Sequence, residues 1–317
     1  MSLTASLPEI HAAQTWLRGV AGFEGATIRS ISAADGGVSN ITCRVQLEGG
    51  LFPAIALRLQ RERGIFEPYD VIREGEVIRL LNASDLPVPR FVASEPDPSK
   101  LGAPLIAMEW IDAPHMGMAG AEADFGAFTR AVAAVHAVDW RALGLGEVLG
   151  VPMSAADGVR GELDAVAARM PAFACDADAL LCRALESMRS YVPDDGALAL
   201  CQGDINVFNY LFRRGEVVGI VDWEQARISD PRSDVGQLLA LSHLKGAPWG
   251  PAQDMPFTQM YGAAAGQPLT NMNYFRALWL FELGVIYHGW MAFNDSEPWF
   301  SWHQIDEMLT TALAEIG

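Results

Sequence analysis

The stretch Cys201-Gln202-Gly203-Asp204-Ile205-Asn206-Val207-Phe208-Asn209-Tyr210-Leu211-Phe212 runs into Arg213-Arg214-Gly215-Glu216, then Val217 to Val221, and stops at Asp222-Trp223-Glu224. Two apolar runs on either side of a polar, glycine-containing turn predict a β-hairpin. Folding about Arg214 to Val217 sets Asn209 opposite Asp222 at the open end of that hairpin, with Asp204 on the loop just before it. Taken singly, Asp204 and Asn209 read as ordinary turn formers and Asp222 as a strand end. Taken together they bring three oxygen-bearing side chains to one place.

An aspartate, an asparagine five residues on and a second aspartate beyond a hairpin are the parts that phosphoryl transfer in protein kinases requires. In that arrangement Asp204 accepts the proton of the substrate hydroxyl, and Asn209 and Asp222 hold Mg²⁺ against the phosphates. Mg²⁺ is a hard cation that takes a few protein oxygens and keeps several of its own waters, and this set supplies such oxygens.

The segment resembles the aminoglycoside phosphotransferase/choline kinase-like family of small-molecule kinases. That family carries a His-Gly-Asp-x-x-x-x-Asn loop, then an Ile-Asp-Trp-Glu-type metal motif, then Asp-Pro-x-x-Asp. The matches are Gly203, Asp204 and Asn209, then Val221-Asp222-Trp223-Glu224, then Asp230-Pro231-Arg232-Ser233-Asp234. The likeness is specific between residues 200 and 240 and loose from about residue 15 to the carboxy-terminal helices. It implies supporting places for Glu224, Asp230 and Asp234, and a structural place under the catalytic loop for His136. Asp234, ahead of an apolar helix, reads as its N-cap, with bracing of the loop as the alternative. One departure stands out: Gln202 replaces the family's histidine, and glutamine keeps a donor and an acceptor for holding the loop.

A kinase reading asks the amino-terminal part for a phosphate cover, a cation and a carboxylate that positions the cation. Gly36, Gly37, Ser39 and Asn40 lie in Ala34-Asp35-Gly36-Gly37-Val38-Ser39-Asn40, whose glycines let backbone approach phosphates closely. A double glycine before a strand is also an ordinary turn; it is the likeness to the family's Gly-Gly-x-Ser-Asn loop that implies nucleotide. The chain has two lysines, Lys100 and Lys245, and neither follows a Gly-x-x-x-x-Gly run, which excludes a P-loop NTPase. In Ala54 to Gln60, Arg58 best matches the place of the kinase lysine, where it would stay charged and could grip phosphate oxygens; a surface arginine on an edge strand is the alternative reading. Residues 70–82 have helical spacing with an apolar face of Val71, Val77, Ile78 and Leu81. Glu74 falls in the middle of that face, where an ionised carboxylate needs a cation; Arg58 is the expected partner. Met108-Glu109-Trp110-Ile111 resembles the family's hinge, which implies that backbone near Glu109 and Ile111 meets the adenine edge and that Met108 lines its pocket.

Strand-like alternation at 42–47 and 54–60, and a further strand at 105–110, make the first hundred residues mixed α/β. Helical spacing then dominates, at 121–138, 155–171, 176–191, 234–244, 271–291 and 302–315. The fold class expected is α+β: a bilobal protein-kinase-like fold with a small mixed α/β lobe of residues 1–108 and a larger, mainly helical lobe of 109–317, nucleotide lying between.

Lysine plus arginine number 22 against 39 aspartates plus glutamates, a formal charge of −17 that disfavours nucleic acid or an anionic membrane surface as partner. Cys43, Cys175, Cys182 and Cys201 form no Cys-x-x-Cys pair and read as buried thiols of a reducing compartment. The most apolar long stretch, 275–293, carries Arg276, Glu282 and His288 and fails as a membrane span. With no signal-peptide pattern at the start, the location expected is the cytoplasm. The sequence therefore predicts an ATP- and Mg²⁺-dependent kinase acting on a hydroxyl of a small molecule. The alternative is a nucleotide-binding protein that no longer catalyses, which Gln202 and Arg58 motivate. The identity of the acceptor and the oligomeric state are not written in the sequence.

Overall fold

The computed structural model describes residues 7–34, 39–119, 124–244, 247, 250, 254–266 and 269–316. Gly36 and Gly37 lie outside the described residues. The chain divides into two compact units, Met1–Asp112 and Ala113–Gly317.

The first unit begins with helix α1 (Ile10–Leu17) and strands β1 (Thr27–Ala33), β2 (Ile41–Glu48) and β3 (Ala54–Leu59). Helix α2 (Val71–Leu81), strand β4 (Phe91–Glu95), the short helix α3 (Pro98–Leu101) and strand β5 (Leu105–Glu109) complete it. The five strands form one antiparallel sheet in the order β1-β2-β3-β5-β4. Strand periodicity decides what each face carries. Cys43, Val45 and Leu47 of β2, Ile55, Leu57 and Leu59 of β3, and Leu105 and Ala107 of β5 share one core with Ala13 and Leu17 of α1. The alternate residues, Ala54, Ala56 and Arg58 of β3 and Ile106 and Met108 of β5, therefore face the other side. Helix α2 packs on that side, against β4 and β5. It starts where predicted: Asp70 accepts a hydrogen bond from the Arg73 amide at 2.9 Å and caps the helix.

The second unit is mainly helical. Helices α4 (Met116–Ala119), α5 (Phe125–His136), α6 (Leu145–Leu149), α7 (Ala155–Arg169) and α8 (Ala179–Ser190) precede the motif. Strand β6 (Ala199–Cys201), the hairpin β7 (Tyr210–Arg213) and β8 (Glu216–Ile220), and strand β9 (Arg227–Ser229) carry it. Helices α9 (Arg232–Ser242), α10 (Asp254–Ala265), α11 (Met272–Phe293) and α12 (Trp302–Ala314) follow. Side chains of α7, α8, α11 and α12 make the main core, with Leu163, Leu181, Phe281 and Leu309 at 0% exposure. Helix α9 lies tightly on α11: a Cβ at Gly236 would stand 2.4 Å from the Phe275 carbonyl oxygen, so glycine is required for the approach. Among the described residues no helix is long and apolar enough to cross a membrane. All four cysteines are unpaired thiols; Cys182 is half-buried, whereas the other three are buried as predicted.

Candidate active site

In the first unit Arg58 leaves β3 on the α2 side and meets Glu74. Arg58 Nε lies 2.8 Å from Glu74 Oε2, with the glutamate side chain wholly buried and the arginine side chain 8% exposed. Glu76, two residues on, points to solvent and pairs with Arg79 instead. The position of Glu74 in an apolar stripe is thus answered by a cation, which is what makes its burial tolerable. The Arg58 guanidinium also reaches the hydroxyls of Thr42 and Ser39, each at 3.4 Å. Ser39 and Asn40 are buried, and Asn40 Oδ1 accepts from the Arg61 amide at 3.1 Å. Met108 is buried in β5. Glu109 donates its amide to the Arg90 carbonyl at 2.8 Å, and Ile111 is half-buried just beyond.

In the second unit the predicted hairpin forms, one residue out of the expected register. Arg214 and Gly215, at φ 54° and 80°, make the turn themselves, as a two-residue hairpin loop requires. Leu211 pairs with Gly219 and Phe212 with Val217, leaving Val218 as an extra residue on β8. Asn209 consequently faces Val221, whose amide donates to the Asn209 carbonyl at 2.9 Å, and not Asp222. Asp222 follows in the left-handed region at φ 63°, a conformation that aspartate tolerates better than most residues.

The three chemical side chains still converge. Asn209 Nδ2 donates to both the Asp204 carbonyl and Asp204 Oδ2, at 2.9 Å each. Burial pushes the Asp204 carboxyl up to about 7, and the negative charge of neighbouring Asp222 adds to the rise. Hydrogen bonds from Gln237 and Asn209 oppose it, and Glu224 contributes a smaller rise. A carboxyl held near neutrality suits proton transfer from a hydroxyl. Just before it, Gly203 has φ 87°, and a Cβ there would lie 2.2 Å from the Gln225 carbonyl oxygen. No other residue fits that position.

Gln202 uses both ends of its amide. Its Nε2 donates to the Val221 carbonyl at 2.8 Å, and its Oε1 accepts from the Tyr210 hydroxyl at 2.8 Å. The loop bearing Asp204 is thereby tied to the segment that leads from β8 to Asp222. Tyr210→Phe leaves Gln202 Oε1 buried and short of a donor. We expect a loss of about 1–2 kcal/mol, read as a melting-temperature fall of a few degrees; an unchanged value would show that the tie carries no load.

Asp234 is the third residue of α9 and not its N-cap. The turn at Asp230-Pro231 starts the helix earlier than the apolar pattern does, and Asp230 Oδ1 accepts from the Arg232 amide at 2.9 Å. Asp230 also pairs with the Arg232 guanidinium at 2.7 Å. Freed from capping, the wholly buried Asp234 carboxylate accepts from the amides of Gln202 at 2.8 Å and Gly203 at 3.2 Å. His136 Nε2 lies 3.1 Å from its Oδ2, and His136 Nδ1 lies 2.7 Å from the Tyr261 hydroxyl. Burial alone would raise the Asp234 carboxyl, but the His136 hydrogen bond and charge, Arg227 and the Gln202 amide together hold it below the usual range. Arg227, in turn, pairs with half-buried Glu162 at 2.9 Å.

Sequence reading missed Gln237, Arg227, Glu162 and Tyr210. For Glu162 and Gln237 the signal was a polar or charged residue at helical spacing on an otherwise apolar face, the same signal that exposes Glu74; Tyr210 and Arg227, on strands, carry no such signal.

Comparison with known proteins places this geometry. The mouse (Mus musculus) acyl-CoA dehydrogenase family member 10 is 22% identical over 90% of this chain, which spans only 28% of that protein's length. Among solved structures, macrolide 2′-phosphotransferase type I superposes with a TM-score of 0.62 at 17% identity, covering 99% of each chain. A thermostable mutant of aminoglycoside phosphotransferase APH(4)-Ia, solved as a ternary complex with ADP and hygromycin B, gives 0.63 at 13% identity over 91% of this chain and 94% of that one. These likenesses establish a shared fold. Residues 30–278 match the phosphotransferase enzyme family, and over that span, which includes every site residue described above, the chain belongs to it.

Proposed function

We propose that the chain moves the γ-phosphoryl group of ATP to a hydroxyl of a small molecule, with Mg²⁺, in the cytoplasm. Asp204 orients the acceptor hydroxyl and takes its proton. Arg58, held by Glu74, steadies the phosphates, and Ser39 and Asn40 belong to the loop that covers them. Backbone at Glu109 and Ile111, with the Met108 side chain, receives the adenine. Gln202, Asp230 and Asp234 keep the loop of Asp204 in shape, and Glu224 adds negative charge beside it.

The observation that carries this reading is the way Asp204 and Asn209 are locked together. Asn209 spends its amide nitrogen on Asp204, so its amide oxygen turns the other way and, with the Asp222 carboxylate, offers the hard oxygens that Mg²⁺ takes. When bound there, the cation supplies neutralisation of charge on the phosphates. The remaining work is the protein's own: holding the hydroxyl at reacting distance and accepting its proton into a site already formed. The family match over residues 30–278, and nucleotide in a structure of the same fold, support the choice of reaction.

The test is ADP release from Mg·ATP across aminoglycosides, macrolides, choline-like amines, sugars and aromatic alcohols. Acceptor-dependent release is the expected result and names the acceptor class. Nucleotide that raises the melting temperature without any release would favour the non-catalytic alternative. Neither effect would remove the reading altogether.

A further inference from the structure

Gln237 stands outside every motif named above. It lies on α9 one turn beyond Asp234 and therefore on the same face, and it is 2% exposed. Its Oε1 accepts from the Ile205 amide at 2.9 Å, and its Nε2 donates to Asp204 Oδ1 at 2.6 Å. The orientation of the amide is forced, because a backbone N–H only donates and a carboxylate only accepts. Each oxygen of Asp204 is therefore held from a different element: Oδ1 by Gln237 of α9, Oδ2 by Asn209 at the start of the hairpin.

We propose that Gln237 is the positioning residue of the base, fixing the Asp204 carboxylate in the rotation that faces an acceptor hydroxyl; this rests on the reading of Asp204 as the base. One hydrogen bond, from Asn209, would leave the carboxylate a pivot. Two, from opposite sides, fix its plane. Anchoring the loop explains only half of the arrangement. The bond to Ile205 satisfies a backbone amide, whereas the bond to Asp204 reaches past the backbone to the reacting side chain. Donation to a carboxylate weakens it slightly as a base. Misplacing a reacting group by about 1 Å costs on the order of a hundredfold, so geometry outweighs that loss.

The full chain carrying Gln237→Met tests this, with Mg·ATP as the probe and water as the acceptor. The expected result is a fall in kcat of roughly 10- to 100-fold with KM for ATP within about twofold. The same substitution placed on Asp204→Asn should lower the residual rate by less than about twofold, because the carboxylate it positions is already gone. Equal losses in both backgrounds would mean a general effect on the fold and would overturn the proposal, as would an unchanged kcat. Assayed at alkaline pH, where both carboxyls are ionised, Gln237→Glu keeps an acceptor for Ile205 and offers no donor to Asp204. It should fall as Gln237→Met does; recovery of the rate in Gln237→Glu would reduce Gln237 to a loop anchor. A crystal structure of Gln237→Met decides the same point without turnover. The Asp204 carboxylate should leave its place while the backbone of 202–209 keeps its own, and an unmoved carboxylate overturns the proposal. Failure of the underlying reading is distinct: Asp204→Asn would then keep its turnover whatever Gln237 does.

Discussion

Asp204→Asn is expected to lower phosphoryl transfer by roughly 10²- to 10⁴-fold while leaving nucleotide binding within about twofold. The substitution conserves volume and removes the group that takes the proton. Both oxygens of Asp204 accept hydrogen bonds, from Gln237 at 2.6 Å and Asn209 at 2.9 Å. An asparagine there satisfies one of those donors with its oxygen and presents its own amide to the other. Some local loosening follows, worth about 1 kcal/mol. The arginine, glutamate and covering-loop residues assigned to phosphates and adenine belong to the first unit and are untouched. Nucleotide should still raise the melting temperature of the variant by its wild-type amount, with ADP release lost across the acceptor panel. Transfer at the wild-type rate would remove Asp204 from the role of base.

The parts of this site that were legible in the sequence share a cause: each is local, or each violates a pattern. Glu74 could be found because a charge in an apolar helical stripe demands a partner, and β3 offered one cation of the right reach. The loop and hairpin of 201–224 could be found because spacing along one short segment determines which residues meet. Register was less legible. The extra residue Val218 moves the pairing of Asn209 from Asp222 to Val221 and has no signature in a run of valines. Of the five strands of the first unit's sheet, the two left unread, β1 and β4, are its two edges. Edge strands bury little on either face, and β1 shows no alternation for the periodicity to reveal. Helix α9 begins at Arg232 because Asp230 and Pro231 nucleate its first turn, which converts Asp234 from a cap into a buried strut. Gln237 reaches Asp204 across 33 residues of sequence, and no local rule selects that pair.

That strut gives the second large effect. Asp234→Ala should destabilise the protein by roughly 3–5 kcal/mol near pH 7, because it strands buried partners and does not merely delete a contact. The amides of Gln202 and Gly203 lose their acceptor, and His136 and Arg227 lose a counter-charge. For a chain of this size that corresponds to a melting-temperature fall of roughly 10 °C. The pH dependence has a definite sign. A carboxyl held below its ordinary value stabilises the fold above its unfolded pKa of about 3.9 and loses that contribution as pH falls through the folded value. The gap between wild type and Asp234→Ala should therefore be full at neutral pH and close progressively below about pH 4. Thermal melts of the two proteins from pH 3 to pH 8 measure it. Because Asp234 grips the residues immediately before Asp204, phosphoryl transfer should fall together with stability, and more steeply than nucleotide binding, as the loop loses its shape. Coincident melting curves at neutral pH would show that the Gln202–Gly203 turn stands without Asp234, leaving the positive φ of Gly203 and the Gln202–Val221 tie as what shapes the turn before the base.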